Sequence, residues 1–286
     1  MKIIHEIYDI KEQIKKWKKE GLSIGFVPTM GFLHEGHASL IKTASKENDK
    51  VIVSVFVNPL QFGPTEDYSD YPRDIDHDSK ICRENGASLI FNPSPKTMYG
   101  DKNYTHVNVD TLTNKLCGFS RPGHFQGVCT VITKFFNILS PDKAYFGEKD
   151  AQQLAVIKRM VKDLNFDIEI IGCPIIREKD GLAKSSRNTY LDNKGRQAAL
   201  VLNKSLKSAH NLLESGEKDL SKVKKLIKNN IEKEPLATID YIEIVDSLTL
   251  QPVYKIEDPI LVAIAVYINN KVRLIDNFTF KIKQVK

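Results

Sequence analysis

Alternation constrains this chain more than any other feature. Up to about residue 176, short β-prone apolar runs take turns with longer stretches whose apolar residues recur at helical spacing. An opening helix, striped by Ile10, Ile14 and Trp17, precedes the strand "SIGFVPT" (23–29) and a helix "HASLIKTASKEN" (37–48). The strand "KVIVSVFVN" (50–58) runs into the Pro-, Gly- and Asp-rich loop "PLQFGPTEDYSDYPR" (59–73) and a helix over 74–86. Then come a strand "ASLIFNPS" (87–94), a helix over 123–140, a short strand "KAYFGE" (143–148), a helix over 150–165 and a strand "FDIEIIGCPII" (166–176). Strands joined through helices pair in parallel, so the pattern predicts an α/β fold built on a doubly wound, Rossmann-like parallel sheet.

After about residue 190 the texture changes. Helices are expected over 193–215 and 219–233, then strands "TIDYIEIVD" (238–246) and "PILVAIAVYI" (259–268), the latter turning at "NNK" into "VRLIDNFTF" (272–280) as a hairpin. Two domains are expected, 1–180 and a smaller α+β unit over 181–286, joined through "REKDGLAKSSRNTYLD".

Composition excludes several classes. The chain has 286 residues, 41% hydrophobic and 27% charged, the balance of a globular protein. Its net charge of +6 suits an anionic ligand. Its densest basic runs, "KEQIKKWKKE" and "SKVKKLIKNNIEKE", have lysines between helical apolar stripes, so they read as solvated helix faces, and a nucleic-acid partner is not expected. Four cysteines, at 82, 117, 129 and 173, form no close pair, which argues against zinc ribbons and disulfide frameworks and fits a cytoplasmic protein. Charge enters the N-terminus too early for a signal peptide, and no apolar stretch reaches the ~20 residues of a membrane helix.

Three clusters can carry chemistry. Neither G-x-x-x-x-G-K-[ST] nor a post-strand G-x-G-x-x-G is present, which disfavours P-loop kinases and dinucleotide oxidoreductases. "HEGH" puts His34 and His37 three residues apart where a strand hands over to a helix, so both imidazoles share a face beside free helix N–H groups. Spacing alone leaves anion binding and no function equally open, and a metal pair lacks a third ligand at a useful spacing. Gly147, Lys149 and Asp150 occupy a second strand-to-helix turn, where Asp150 reads equally as an N-cap. Lys184, Ser185, Ser186 and Arg187 form a compact set of phosphate donors, or an ordinary interdomain linker.

Taken together, "PTMGFLHEGHASL", "FVNPLQFGPTEDYSDYPRD", "RPGHFQGV", "AYFGEKDAQQ" and "DGLAKSSRN" resemble, in order, the signatures of the pantothenate synthetase family, within the nucleotidyltransferases marked by H-x-G-H and a mobile basic-serine loop. The resemblance implies ATP-dependent condensation of pantoate with β-alanine through a pantoyl adenylate, releasing AMP and pyrophosphate, by a cytoplasmic homodimer.

By the same resemblance Met30, Gly31, Phe32, Leu33, His34, Glu35, Gly36 and His37 line the ATP site, with His37 as proton donor and His34 beside it facing the phosphates. Gly147, Glu148, Lys149, Asp150 and Ile176 hold the nucleotide, and Lys184, Ser185, Ser186 and Arg187 clamp its phosphates. Gln61 and Gln153 bind pantoate, Gln61 also β-alanine. They separate pantoate activation from an adenylyltransferase that keeps AMP on its product. Lysine stands at 184 where the family often has methionine. Magnesium is expected with ATP, with Asp76 or Asp78 as candidate ligands, although a helix start rich in Asp is explained by the helix dipole alone. The segments 62–71 and 181–189 are expected to act as lids.

Overall fold

The computed structural model describes residues 1–64, 66–256 and 259–281. Ten α-helices and nine strands are assigned among them. Six strands form one parallel sheet: β1 (Lys2–Ile4), β2 (Ile24–Thr29), β3 (Lys50–Val55), β4 (Leu89–Phe91), β5 (Lys143–Gly147) and β6 (Glu169–Cys173), in the order β1-β4-β3-β2-β5-β6. Both faces are covered. Ile24 and Phe26 of β2 pack toward α1 (Ile7–Lys19), α6 (His124–Leu139) and α7 (Ala151–Asp163), while Val27 packs toward α2 (Glu35–Glu47) and α3 (Ile75–Glu84). Burial on both faces is why these strands read as continuous apolar runs rather than alternating ones.

The second sheet is antiparallel, β7 (Ala237–Asp246), β8 (Ile260–Ile268) and β9 (Val272–Phe280), in that spatial order. It is backed by α8 (Asn193–Ala198), α9 (Leu200–Glu214) and α10 (Leu220–Ile231), whose buried residues form its own core. Thr65 of the expected 62–71 lid, and residues 257–258 and 282–286 of the expected second domain, lie outside the described residues.

Four details differ from the sequence reading. A three-residue strand, β1, precedes the opening helix and pairs with β4 at the sheet edge; it is too short for a period. The helix expected over 193–215 divides at Ala199 into α8 and α9. Two short helices, α4 (Pro95–Tyr99) and α5 (Cys117–Ser120), fill a stretch for which periodicity suggested no element. The helix after "RPG" starts one residue late, because Gly123 sits at φ 83° as its N-cap.

Candidate active site

The sheet reverses its winding at β2. From there β3 and β4 lie to one side and β5 to the other, so the crevice beyond the carboxyl ends of β2 and β5 is the topological switch point. The chain leaves β2 through Gly31 (φ 88°) and Phe32 (φ 51°). Asp78, fully buried in the first turn of α3, holds that turn. The Phe32 N–H donates to Oδ2 at 3.0 Å and the Leu33 N–H to Oδ1 at 2.7 Å. Burial pushes the Asp78 carboxyl upward against those two donors.

This arrangement bears on two expectations. Both Asp78 oxygens are engaged by backbone N–H groups, so this carboxylate serves the loop rather than a metal. Among the described residues no group of three or more His, Cys, Asp or Glu side chains is placed to hold a metal ion by itself. Gly31, Phe32, Leu33, Glu35 and Glu148 do not line the cavity described below; Leu33 is buried and Glu35 faces Lys184.

His34 caps α2, accepting from the Gly36 N–H at Nδ1 over 3.1 Å, while its own N–H donates to His37 Nδ1 at 3.3 Å. The two rings stack with centroids 4.1 Å apart. An imidazole whose Nδ1 accepts carries its hydrogen on Nε2. Burial, with Lys149 and Lys184 nearby, lowers the His34 pKa to about 4. Burial, His34 and Lys149 hold His37 well below its ordinary value. The pair is therefore neutral near pH 7 and presents two Nε2–H donors. Without bound nucleotide this environment favours the neutral form of His37.

Opposite, β5 ends at Gly147 and a single 3₁₀ turn, Glu148–Asp150, leads into α7. Asp150 makes no side-chain cap, so its carboxylate is not consumed by the helix. The Lys149 ammonium has no hydrogen-bond or ion-pair partner among the described residues. The basic-serine segment arches over both turns. Lys184 reaches Glu35 at 2.9 Å, and Arg187 reaches Asp67 at 3.1 Å. Ser186 Oγ meets the Tyr71 hydroxyl at 3.4 Å, and Ser185 caps the following turn.

One cavity of about 240 Å³ collects Met30, His34, Gly36, His37, Gln61, Gly147, Lys149, Asp150, Gln153, Ile176 and Lys184 through Arg187. A second, of about 420 Å³ at the seam between the sheets, shares Lys149, Asp150 and Gln153 with it and adds Tyr241, Arg273 and Asn277. Gln61 sits on the 3₁₀ turn Pro59–Gln61 and donates to Met30 Sδ at 3.2 Å.

Sequence reasoning assigned no role to Arg121 and His124, which line both cavities. His124 donates from Nδ1 to the Gln61 carbonyl at 2.8 Å and accepts from Arg121 Nη1 at 3.0 Å. Arg121 in turn donates to both carboxylate oxygens of Glu66, at 2.6 and 2.7 Å. Burial and Arg121 push the His124 pKa down to about 4. The available signal was the quoted "RPGHFQGV", an arginine and a histidine three apart where a helix begins.

Known proteins resemble this chain throughout its length. The model of the pantoate-beta-alanine ligase family matches residues 2–279. A pantothenate synthetase of Clostridium botulinum (strain Loch Maree / Type A3) is 70% identical over 282 residues, 99% of this chain and 100% of the relative. One from Clostridioides difficile (strain 630) is 65% identical over 280 residues, 98% of this chain and 99% of the relative. Among solved structures, pantothenate synthetase from Thermus thermophilus superposes with a TM-score of 0.92 at 40% identity, covering 97% of this chain and 99% of that one. The Francisella tularensis pantoate-beta-alanine ligase, complexed with beta-gamma ATP and beta-alanine, gives 0.78 at 37%, covering 97% of each chain. Sequence, fold and the geometry at the switch point agree: the chain belongs to the pantoate-beta-alanine ligase family.

Proposed function

We propose that the cavity beyond β2 and β5 joins pantoate to β-alanine by splitting ATP to AMP and pyrophosphate. The observation that carries this reading is the meeting, at one switch point, of two Nε2–H imidazole donors and an unpartnered lysine with the amide side chains Gln61 and Gln153. A free carboxylate is a poor acyl donor because its leaving group would be oxide. One pantoate carboxylate oxygen attacks the α-phosphorus, pyrophosphate leaves, and the mixed anhydride pantoyl adenylate remains. The β-alanine amine then attacks the acyl carbon, AMP departs, and the amine's surplus proton goes to solvent.

Such steps need positioning and charge stabilisation, not a protein nucleophile. His34 and His37 donate to phosphate oxygens, and negative charge arriving there raises both pKa values, which lets His37 follow the departing pyrophosphate as a proton donor. Lys149 neutralises charge on the bridging region, and Asp150, free of capping, takes a ribose hydroxyl. Ile176 and Gly147 flank the base and ribose. Ser185, Ser186 and Arg187 close on the outer phosphates, with Lys184 alongside. Gln61 and Gln153 each offer a donor and an acceptor, which matches a substrate with two hydroxyls. Magnesium belongs to this reading as the ion ATP brings with it, held by phosphate and water; the residues present do not form a cage for it.

Residues 1–180 supply the nucleotide and pantoate site and residues 181–286 the covering unit. The working form is a cytoplasmic homodimer. Four buried, unpaired cysteines are compatible with a reducing compartment, and exposed Tyr104 and Phe119 give the first unit apolar surface to pair with a second copy. Sedimentation at micromolar concentration checks the dimer. The central test is a product assay with ATP, magnesium and pantoate, with and without β-alanine. Catalytic AMP and pyrophosphate only with β-alanine, and one bound equivalent of adenylate without it, are expected; ADP would overturn the reading.

A further inference from the structure

The Lys149 turn is held from the other sheet. Asn277, buried in β9, donates from its one Nδ2 group to two successive carbonyls, Glu148 O at 3.1 Å and Lys149 O at 2.8 Å. Two carbonyl neighbours accept only from an NH₂, so the amide orientation is fixed by its surroundings. Its neighbour Asp276, also buried, takes both Arg177 guanidinium nitrogens, at 2.7 and 2.9 Å, and accepts the Asn277 N–H at 2.8 Å. Arg177 also donates to Gly181 O at 3.1 Å, and an antiparallel bridge joins Arg177 to Ala183, at the root of the segment bearing Lys184 to Arg187. Two consecutive β9 residues thus hold the Lys149 turn and the root of the Lys184–Arg187 segment.

We propose that Asn277 is a positioning residue for the first half-reaction: through the 148 and 149 carbonyls it sets the direction of Lys149, so that the arrangement of the two sheets is read directly by the lysine at the phosphates. This rests on the role given to Lys149 above. The turn is one 3₁₀ turn with Gly147 before it, and Asn277 gives two of its carbonyls a side-chain donor from across the seam. Side-chain amide to carbonyl bonds in a buried seam are directional, and a shift of about 1 Å at a reacting group can cost on the order of 100-fold in rate.

Asn277→Asp keeps the shape and replaces both donors with acceptors facing carbonyls. Single-turnover formation of pantoyl adenylate from ATP, magnesium and pantoate is expected to slow by roughly 30- to 100-fold. The rate at which preformed pantoyl adenylate reacts with β-alanine should stay within about twofold, since a general packing role would slow both steps. In a Lys149→Ala background the Asn277 substitution is expected to add less than about threefold, because its effect passes through the missing side chain. Asn277→Ala, which removes the donors without adding charge, serves if the aspartate variant does not fold. Normal adenylate formation, equal losses in both half-reactions, or multiplicative losses in the double variant would overturn the proposal. A fully active Lys149→Ala single variant would instead overturn the role of Lys149 itself.

Discussion

At the residue scale the site works through groups left uncommitted by the fold. Among the described residues Lys149 has no acid paired with it, whereas Lys184 and Arg187 are engaged by Glu35 and Asp67. Lys149→Ala is therefore expected to lower kcat/KM for adenylate formation by roughly 100- to 1000-fold, as loss of one preorganised charge does, without moving Tm. Quenched-flow rates and a thermal melt check both halves. The buried histidines make a second prediction. His34 and His124 have folded pKa values of about 4 against an ordinary 6.5, so the unfolded chain binds more protons between those values. Their contribution to stability is complete above pH 6.5 and is lost as pH falls toward 4. Denaturant titrations should show stability falling across that window, with a shallower slope in His124→Asn, which still donates to the Gln61 carbonyl. A slope identical to that of the parent would count against it.

Elements place these groups. The 3₁₀ turn carrying Gln61 lies directly on α6 at Gly127, where an added Cβ would run into the Leu60 and Gln61 backbone. Overpacking of that kind costs about 1–3 kcal/mol, so Gly127→Ala should lower stability and raise KM for pantoate several-fold while leaving KM for ATP close to normal. The segments 62–71 and 181–189 meet through Arg187–Asp67 and Ser186–Tyr71. Under the proposed function a nucleotide phosphate competes with Asp67 for the guanidinium. Asp67→Asn should accordingly tighten ATP binding by about two- to fivefold, in line with the modest worth of a partly exposed pair, as read by calorimetry. Weaker binding would mean that Asp67 orders Arg187 instead of restraining it.

The whole molecule couples two sheets across a mixed seam, in which Leu116 and Ala155 of the first unit bury against Val245, Leu250, Leu261 and Ala263 of the second beside a set of polar contacts. Arg273 bonds Asp240 within the second sheet, and Ser120 and Cys117 meet Asp240 and Tyr241 from the first. Gln251 takes Lys115 at 2.7 Å, and Asn277 takes the Lys149 turn. Nucleotide with pantoate is expected to protect both 62–71 and 181–189 from limited proteolysis together, since each segment touches the other; protection of one alone would separate them.

The amino-acid sequence by itself determined the architecture and the chemistry's vocabulary. Apolar runs separated by helical stripes admit little but a parallel doubly wound sheet; "HEGH" and "GEKD" lie where a strand hands over to a helix, and "KSSRN" lies in the segment connecting the two units. Tertiary structure decided which candidates act and in what state. Asp78 looks like a metal ligand along the chain, yet its oxygens point at the Phe32 and Leu33 N–H groups, 46 and 45 residues away. His37 looks like a freely titrating imidazole along the chain, yet in the ligand-free fold burial, His34 and Lys149 hold its pKa well below the ordinary value. Lys184, an open question in one dimension, is paired with Glu35. Arg121, His124 and Asn277 gain roles only from partners 55, 63 and 128 residues distant. Periodicity is a property of neighbours in the chain, whereas desolvation and charge act between neighbours in space, and only the packed fold creates those.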